Sequence, residues 1–260
     1  MIEVKTRKSA KMVLAVLAFD FDDTLITNVP EETYLAVCRR LRGEGEAMPN
    51  PNNHPRNIVD FQNEVFKFLF DKGLDIEGIK RIADFKYVSE GMNDLLDARI
   101  DDLDLRIAVI TDNNDFVVNY SLEKLGLRSK IDKVIGNRGR VDEKGMLVAT
   151  PWKMQDHCAL SFENLCKGEV LFDYVAEVEK EAGRKVDFVG YGGDNKNDIC
   201  PALALREGDL AFPRKGHPLV GFLEERKAEM KATVHPWESG KQIVEVIKEK
   251  VQSLKKAAGE

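Results

Sequence analysis

The sequence predicts an α/β fold in which a doubly wound parallel sheet carries helices on both faces and a helical cap is inserted near the start. Apolar runs of strand length recur along the chain, and three of them end in polar residues, Asp20, Thr111 and Asp194. Such runs are typical of strands buried on both faces. Helix-like segments separate the runs, and strands that alternate with helices indicate a parallel sheet.

The first run, Leu14–Phe19, is predicted to be a central strand, and it leads directly into Asp20-x-Asp22-x-Thr24. Ligands of open parallel sheets bind outside the carboxyl ends of the strands. Asp20 and Asp22 therefore lie where chemistry is expected. Asp23 is out of phase with this pair and is interpreted as structural, whereas Thr24 either caps the turn or acts directly.

The segment 28–87 shows helical periodicity, apart from a loop rich in Gly, Pro and Asn at 43–55. Helices are predicted at 30–42, 58–69 and 76–85. Phenylalanines near the second helix are interpreted as the apolar core of this segment: Phe61, Phe66, Phe68 and Phe70. We therefore predict a helical cap at 28–87 and an α/β core formed by 1–27 and 88–260.

The pattern after the cap alternates between helices and strands. Strands are predicted at 105–110, 133–136, 186–191 and 210–212. Helices are predicted at 89–100, at 116–126, after Lys167 up to residue 182, and at 198–205, with two more at the end of the chain. Gly145 allows a hairpin turn within 141–147. This order completes the predicted doubly wound core.

The composition excludes several classes of protein. With 260 residues, 43% apolar and 32% charged, the chain is typical of a globular protein. A net charge of −6 counts against a general nucleic-acid binder. No apolar run approaches the roughly 18 residues of a membrane span. The basic start, 1–11, precedes an apolar stretch, but that stretch runs into Asp20 without a cleavage site, so a signal peptide is rejected. We predict a cytoplasmic protein without nucleic-acid or membrane partners.

Four cysteines are present, and none of them forms a CxxC pair: Cys38, Cys158, Cys166 and Cys200. They are interpreted as reduced thiols of an intracellular protein. His157 and Cys158 could form a metal cluster with Cys166, but the spacing matches no standard zinc pattern, so buried thiols are favoured. The remaining histidines stand next to prolines and suggest no proton relay: His54, His217 and His235.

Four segments resemble the motifs of the haloacid dehalogenase superfamily of phosphatases. They are Asp20-x-Asp22-x-Thr24, Thr111 after a strand, Lys167 before a helix, and Gly193-Asp194-x-x-x-Asp198. The resemblance extends from about residue 13 to about 222. Segments 158–168, 193–201 and 211–216 are similar to the subgroup that includes phosphoethanolamine/phosphocholine phosphatases and pyridoxal phosphate phosphatases.

The chain departs from that subgroup in two places. Asn195 stands where the subgroup usually has Gly after the motif aspartate, and Asn tolerates a left-handed backbone. Members that act on choline or ethanolamine phosphates tend to carry an Asp-rich stretch after the first motif. This chain has Thr27–Glu31 there, which counts against an amine-bearing substrate.

The resemblance implies Mg²⁺-dependent hydrolysis of a small phosphorylated metabolite through an aspartyl-phosphate. Asp20 is the expected nucleophile, and Asp22 is the expected general acid and base. Mg²⁺ is usually held by one or two carboxylates together with substrate phosphate, and the side chains of Asp20 and Asp194 are the expected ligands. The family adds the backbone carbonyl of Asp22 as a third protein ligand.

Other residues are expected to hold the phosphoryl group. Lys167 supplies a positive charge at the start of a helix, and the Thr111 hydroxyl and the backbone N–H groups of Asp22 and Asp112 donate hydrogen bonds. Asp198 either supports the metal site from behind, which is favoured, or orients Lys167.

Two alternatives stay open at this stage. A phosphoserine phosphatase is expected to have an Arg and a Glu in the cap, for which Glu31, Glu32 and Arg56 give no clear match. A catalytically silent relative that binds a phosphorylated ligand or a partner protein is the second alternative. The substrate and the oligomeric state do not follow from the sequence.

Overall fold

A seven-stranded sheet forms the centre of the chain in a computed structural model that describes residues 12–259. The basic segment 1–11, which entered the signal-peptide argument, lies outside the described residues. The strands are β1 (Val13–Phe19), β2 (Ile26–Asn28), β3 (Lys86–Val88), β4 (Leu103–Asn114), β5 (Lys133–Val141), β6 (Leu147–Thr150), β7 (Phe188–Gly193), β8 (Leu210–Pro213) and β9 (Thr233–Val234).

The strand order of the large sheet is β6-β5-β4-β1-β7-β8-β9. Every neighbouring pair is parallel except β5 and β6, which form the hairpin predicted at Gly145. Gly145 has φ 87°, which suits glycine in a tight turn. The order reverses on either side of the first strand, so the predicted doubly wound α/β fold is confirmed.

The helices are α1 (Tyr34–Leu41), α2 (Ile58–Asp71), α3 (Ile76–Ala83), α4 (Met92–Leu96), α5 (Asp115–Lys124), α6 (Lys167–Ala182), α7 (Ile199–Ala204), α8 (Pro218–Glu225) and α9 (Gly240–Ala257). The helix predicted at 89–100 is only five residues long, because it starts after Gly91 in a left-handed conformation and the chain then turns toward β4. The helix predicted at 30–42 is divided by Thr33, whose extended backbone and side chain cap α1.

Strand β1 is buried on both faces, which explains its continuous apolar sequence. Its odd-numbered residues face a cluster that includes α9: Val13, Ala15, Leu17 and Phe19. Its even-numbered residues face a cluster that includes α6: Leu14, Val16 and Ala18. Burial of a large apolar side chain contributes about 1.5–3 kcal/mol. The first strand is therefore held firmly from both sides, and the residue that follows it, Asp20, has a fixed position.

The helices α1, α2 and α3 share an apolar cluster with β6 and α5. Phe61, Phe66 and Phe68 belong to it, in agreement with the predicted cap core. The side chain of Asn63 also pairs with the backbone of Ala149 in β6, donating to its carbonyl at 2.9 Å and accepting from its N–H at 2.7 Å. These contacts hold the three helices over the edge of the sheet.

A short antiparallel ribbon of β2 and β3 connects the three helices to the rest of the chain. The sequence analysis did not anticipate these two strands, each of which is only three residues long. The ribbon crosses both proposed boundaries, so the division into a core (1–27 and 88–260) and a cap (28–87) stays a prediction. Among the described residues, no helix is long and apolar enough to cross a membrane.

Candidate active site

The ends of three neighbouring strands bring the candidate residues together. Phe19, the last residue of β1, pairs with Val109 in β4 on one side and with Gly192 in β7 on the other. Asp20, Thr111 and Asp194 follow these paired positions and are all buried. The carboxyl ends of adjacent parallel strands share one edge of the sheet, so residues far apart in sequence meet there.

Lys167, the first residue of α6, lies completely buried among the acids of this edge. Its Nζ donates to Asp20 Oδ1 and to Asp198 Oδ1, each at 2.8 Å, and lies 3.7 Å from Asp112 Oδ2. Burial alone lowers the pKa of Lys167, but the three carboxylates outweigh it and raise the pKa overall. The ammonium group is therefore charged throughout the physiological range.

For Asp20, the effects that raise the pKa outweigh those that lower it. Burial raises its pKa; the ammonium of Lys167 lowers it, and the charges of Asp198 and Asp194 raise it again, so that the pKa lies well above its usual value. Without a further cation, this group of acids carries more negative charge than one lysine compensates. Such an excess of negative charge favours the binding of a metal cation.

Asp198 has both of its carboxylate oxygens occupied by protein donors. Oδ1 accepts from Lys167 and from the hydroxyl of Tyr191 at 2.7 Å, and Oδ2 accepts from the backbone N–H groups of Asp194 and Asn195. Asp198 thus contacts both Lys167 and the backbone of Asp194, which are the two arrangements that the sequence left open. Gly193 permits this approach, since a Cβ there would lie 2.5 Å from the carboxyl carbon of Asp198.

Asn195 has an extended backbone with φ −132°, so the turn forms without the left-handed conformation that Asn would tolerate. Its side chain caps the short turn at 196–198 by accepting from the N–H of Lys196. The carboxylate of Asp198 anchors this turn through the backbone N–H groups that precede it. A side chain is therefore tolerated at residue 195.

Asp194 and Asp20 are the acids that fit a hard divalent cation. One carboxylate oxygen of each lies, together with one of Asp198, within a group whose atoms are all within 4.8 Å of one another. Carboxylate oxygens are the ligands that Mg²⁺ prefers. Burial and Asp198 raise the pKa of Asp194 to about 6, although His217, whose Nδ1 lies 3.2 Å from Asp194 Oδ2, lowers it. The donor set therefore fits Mg²⁺ in type and in spacing.

Thr24 also contacts this group, since its hydroxyl donates to Asp194 Oδ1 at 3.5 Å. Asp23, interpreted as structural, accepts from the backbone N–H of Asn28 at 3.2 Å and has φ 54°. Its carboxylate therefore stabilises the turn after β1. Arg214 closes the same turn by donating to the Asp23 carbonyl at 2.6 Å.

Asp22 stands apart from the acids around Lys167 and has its own lysine. Lys86 Nζ in β3 donates to Asp22 Oδ1 at 2.8 Å, Asn28 Nδ2 donates to the same oxygen at 3.1 Å, and Asn113 Nδ2 donates to Oδ2 at 3.0 Å. Desolvation raises the pKa of Asp22, but the charge of Lys86 and these hydrogen bonds outweigh it and lower the pKa. The pKa of Asp20 is therefore raised and that of Asp22 is lowered, although each carboxylate lies beside a lysine.

Thr111 and Asp112 lie in β4 where its pairing with β5 becomes irregular. The hydroxyl of Thr111 accepts from the N–H of Asn113 at 3.1 Å, which leaves its proton able to donate. The carboxylate of Asp112 accepts from Asn164 and Asn197, and its backbone carbonyl accepts from Gln62 Nε2 at 2.9 Å. This last bond ties α2 directly to the site.

A family model described as Putative Phosphatase matches residues 15–251. The chain belongs to this phosphatase family. The human phosphoethanolamine/phosphocholine phosphatase is 30% identical, over 88% of this chain and 86% of its own length. A pyridoxal phosphate phosphatase from Bos taurus is also 30% identical, over 88% of this chain and 95% of its own length. The chain is therefore a phosphomonoester hydrolase.

A solved hydrolase of the haloacid dehalogenase superfamily, from Geobacter sulfurreducens, shares the fold of this phosphatase. The TM-score is 0.52 at 13% identity, and the match covers 92% of this chain and 99% of the other. The fold that the motif resemblance implied is thereby confirmed, and the family model and the relatives confirm the resemblance to phosphatases.

A cleft of about 170 Å³ opens beside Asp22 of the phosphatase. The ribbon, α1, α3 and the residues next to them supply most of its lining: Asn28, Glu32, Thr33, Tyr34, Ile82, Phe85 and Lys86. The cleft therefore lies on the Asp22 side of the site. Arg56 does not line it; its side chain contacts Glu163 and the carbonyl of Cys158.

Several residues that contact the predicted acids of the phosphatase were not expected from the sequence, among them Lys86, His217 and Asn113. Lys86 contacts Asp22, and His217 contacts Asp194, although the prolines next to the histidines had suggested no role. Of these three, only Asn113 could have been predicted from the sequence, because it follows Thr111 in a polar run at a strand end. No sequence pattern relates Lys86 to Asp22 or His217 to Asp194, because the partners lie in different segments of the chain.

Proposed function

We propose that this phosphatase hydrolyses a small phosphorylated metabolite in a Mg²⁺-dependent reaction that passes through an aspartyl-phosphate on Asp20. The single observation that carries the proposal is the excess of buried acid around Lys167. Asp20 and Asp194 offer oxygens to one ion, while the ammonium lies 2.8 Å from Asp20. A phosphoryl dianion can approach a carboxylate only where fixed positive charge offsets their repulsion.

The metal would be held by the side chains of Asp20 and Asp194, and the family resemblance adds the backbone carbonyl of Asp22. Bound there, Mg²⁺ would supply charge that stabilises the phosphoryl oxygens. Asp198 is unsuited to direct ligation because its oxygens already accept from protein donors. Its proposed role is to orient Lys167 and to support the backbone of Asp194.

In the first step, a carboxylate oxygen of Asp20 attacks phosphorus and the bond to the leaving oxygen breaks, while Asp22 donates a proton to that oxygen. In the second step, Asp22 accepts a proton from the attacking water, which releases phosphate and restores Asp20. Lys167, the Thr111 hydroxyl and the backbone N–H groups of Asp22 and Asp112 are proposed to hold the phosphoryl oxygens.

Proton donation by Asp22 requires that its low pKa rise when substrate binds. An incoming phosphoryl dianion acts in that direction in two ways. Its negative charge raises the pKa of a nearby carboxyl, and it competes for the ammonium of Lys86. The asparagines that hold Asp22, Asn28 and Asn113, keep the carboxyl in place during this change.

The substrate is proposed to be a small phosphomonoester of the kinds named for the relatives, a phosphorylated amino alcohol or pyridoxal phosphate. Pyridoxal phosphate is favoured of the two, because Thr27–Glu31 lacks the Asp-rich stretch expected for amine-bearing substrates. The size of the cleft beside Asp22 supports a small leaving group. A phosphoserine-like substrate is less well supported, because Arg56 lies elsewhere and Glu32 in the cleft is already paired with Arg40 at 2.8 Å. The four free thiols support a cytoplasmic location.

The test is release of phosphate from p-nitrophenyl phosphate with and without Mg²⁺, followed by a panel of phosphoethanolamine, phosphocholine, pyridoxal phosphate and thiamine phosphate. We expect turnover only with Mg²⁺ and a preferred metabolite in the panel. The Asp20→Asn variant is the matched control for the site. Equal turnover in the absence of divalent cations, or in that variant, would contradict the proposed mechanism.

A further inference from the structure

Three of the four thiols converge at one point behind the active site. The thiol cluster consists of Cys158, Cys166 and Cys200, whose sulfur atoms all lie within 4.8 Å of one another. Cys200 Sγ lies 3.4 Å from the sulfur of Cys158 and 3.6 Å from that of Cys166. These separations are far longer than a disulfide bond of about 2.05 Å.

The separations agree with a metal site. With metal–sulfur bonds of about 2.3 Å, two sulfurs of a tetrahedral zinc site lie about 3.8 Å apart. A single sulfur, Cys200, is near that distance from both of the others. Thiolate ligands select zinc over Mg²⁺, which prefers oxygen. The cluster is therefore chemically distinct from the acids around Asp20.

A histidine is available to complete the set. His157 lies next to Cys158, and its ligand atom forms a group with those of Cys166 and Glu169, all within 4.8 Å. The side chain of His157 is 58% exposed, so its ring can turn toward the sulfurs without repacking the interior. Its Nε2 lies 3.4 Å from Glu169 Oε2. A carboxylate that accepts from the second ring nitrogen is the usual partner of a metal-binding histidine.

The local electrostatics favour a thiolate. Cys166 occupies the N-cap position of α6, where the helix dipole stabilises negative charge. A thiolate, rather than a thiol, is the form that binds a metal.

We propose that the thiol cluster binds one Zn²⁺ ion and that His157 supplies the fourth ligand. On binding, the thiols release their protons to solvent. The ion would connect three segments: the loop before α6, the start of α6 and the start of α7. These segments also carry Lys167, next to Cys166, and Asp198, two residues before Cys200.

The proposed ion therefore stabilises the contact between Lys167 and Asp198 from outside the active site. The backbones already approach closely there, since a Cβ on Gly168 would lie 2.9 Å from Cys200 Sγ. The sequence analysis favoured buried thiols because the spacing of the cysteines matches no standard zinc pattern. The fold supplies the proximity that the spacing does not.

The first experiment measures zinc in the full chain purified without chelators. We expect about one zinc ion per chain, as in a four-ligand structural site, and its loss in Cys158→Ser and Cys200→Ser. Cys38→Ser is the matched control, because Cys38 is a buried thiol in the cap helices, and it should retain the zinc. Asp194→Asn should also retain it, which separates this site from the proposed Mg²⁺ site.

The second experiment titrates the reduced, metal-free full chain with Co²⁺. Thiolate ligands give intense charge-transfer absorption, whereas the carboxylates around Asp20 give none. We expect this absorption in the unmodified chain and in Cys38→Ser. His157→Ala should weaken binding by at least about tenfold, since even the outer partners of metal ligands have effects of that size.

Three outcomes would overturn the proposal. One is a chain that contains no zinc as purified and develops no thiolate–cobalt absorption. Another is unchanged absorption in Cys200→Ser. The last is a disulfide within the thiol cluster in the purified protein, detected by mass spectrometry. If a serine variant fails to fold, the cobalt titrations of the unmodified chain and of His157→Ala still decide the question.

Discussion

Replacement of Lys167 by Met removes the positive charge at the centre of the buried acids. Met has a similar length and no charge, so Lys167→Met changes the packing little. Lys167 has no exposed surface, and its two partners at 2.8 Å, Asp20 and Asp198, are almost as deeply buried. Solvent screening therefore weakens these ion pairs little.

The magnitude follows from these distances. At an effective dielectric constant of about 20, unit charges at 2.8 Å attract each other by about 6 kcal/mol. Desolvation of the ammonium offsets several kcal/mol of this attraction, and removal of one partner of a buried pair typically costs about 3–5 kcal/mol. We expect Lys167→Met to lower the free energy of unfolding by about 3–5 kcal/mol, which is a large fraction of the about 5–15 kcal/mol of a typical domain.

The assay is urea unfolding without Mg²⁺ at pH 7 and at pH 5. Without the lysine, the pKa of Asp20 in the folded state rises further above that of the unfolded chain. The folded variant therefore takes up protons first as the pH falls, and the loss of stability should be smaller at pH 5 than at pH 7. Lys133→Met is the matched control. Its ion pair with Glu177 at 2.8 Å is exposed, so we expect a loss of at most about 1 kcal/mol.

The double variant Lys167→Met/Asp198→Asn should be more stable than the single variant Lys167→Met. Removal of one uncompensated acid should recover part of the stability, with a coupling energy of at least about 1 kcal/mol. A loss in Lys167→Met no greater than that in Lys133→Met would refute the reasoning. So would a loss that is the same at both pH values.

Asp20→Asn should abolish turnover and the trapping of a phosphoryl group on the protein, measured by mass spectrometry after a rapid acid quench; a trapped phosphoryl group elsewhere would remove Asp20 from the role of nucleophile. Mg²⁺ affinity, measured by calorimetry, should fall as the pH falls below about 6, because protons compete for Asp194. His217→Ala should move that fall to higher pH, since His217 lowers the pKa of Asp194, and an unchanged profile would contradict this. Lys86→Met should raise the pKa of Asp22 and move the alkaline limb of kcat/KM to higher pH. An alkaline limb at unchanged pH in this variant would show that a group other than Asp22 controls it.

The sequence by itself determined the sheet and the positions of the main acids. A strand segment buried on both faces is apolar at successive positions, so β1, the buried part of β4 at 107–110 and β7 were recognisable from their sequences. Parallel strands share one carboxyl edge, so the proximity of Asp20 and Asp194 followed from the same pattern. The motif resemblance then identified the family, which the comparisons confirmed.

Only the tertiary structure decided which other side chains complete the site. Lys86 and Asp22 are 64 residues apart, and Cys166 and Cys200 are 34 residues apart. No local periodicity relates such pairs, because each belongs to a loop, a helix start or a short ribbon whose position depends on how the helices pack. Packing also decided that Asn195 is extended, since the carboxylate of Asp198 anchors the turn around it.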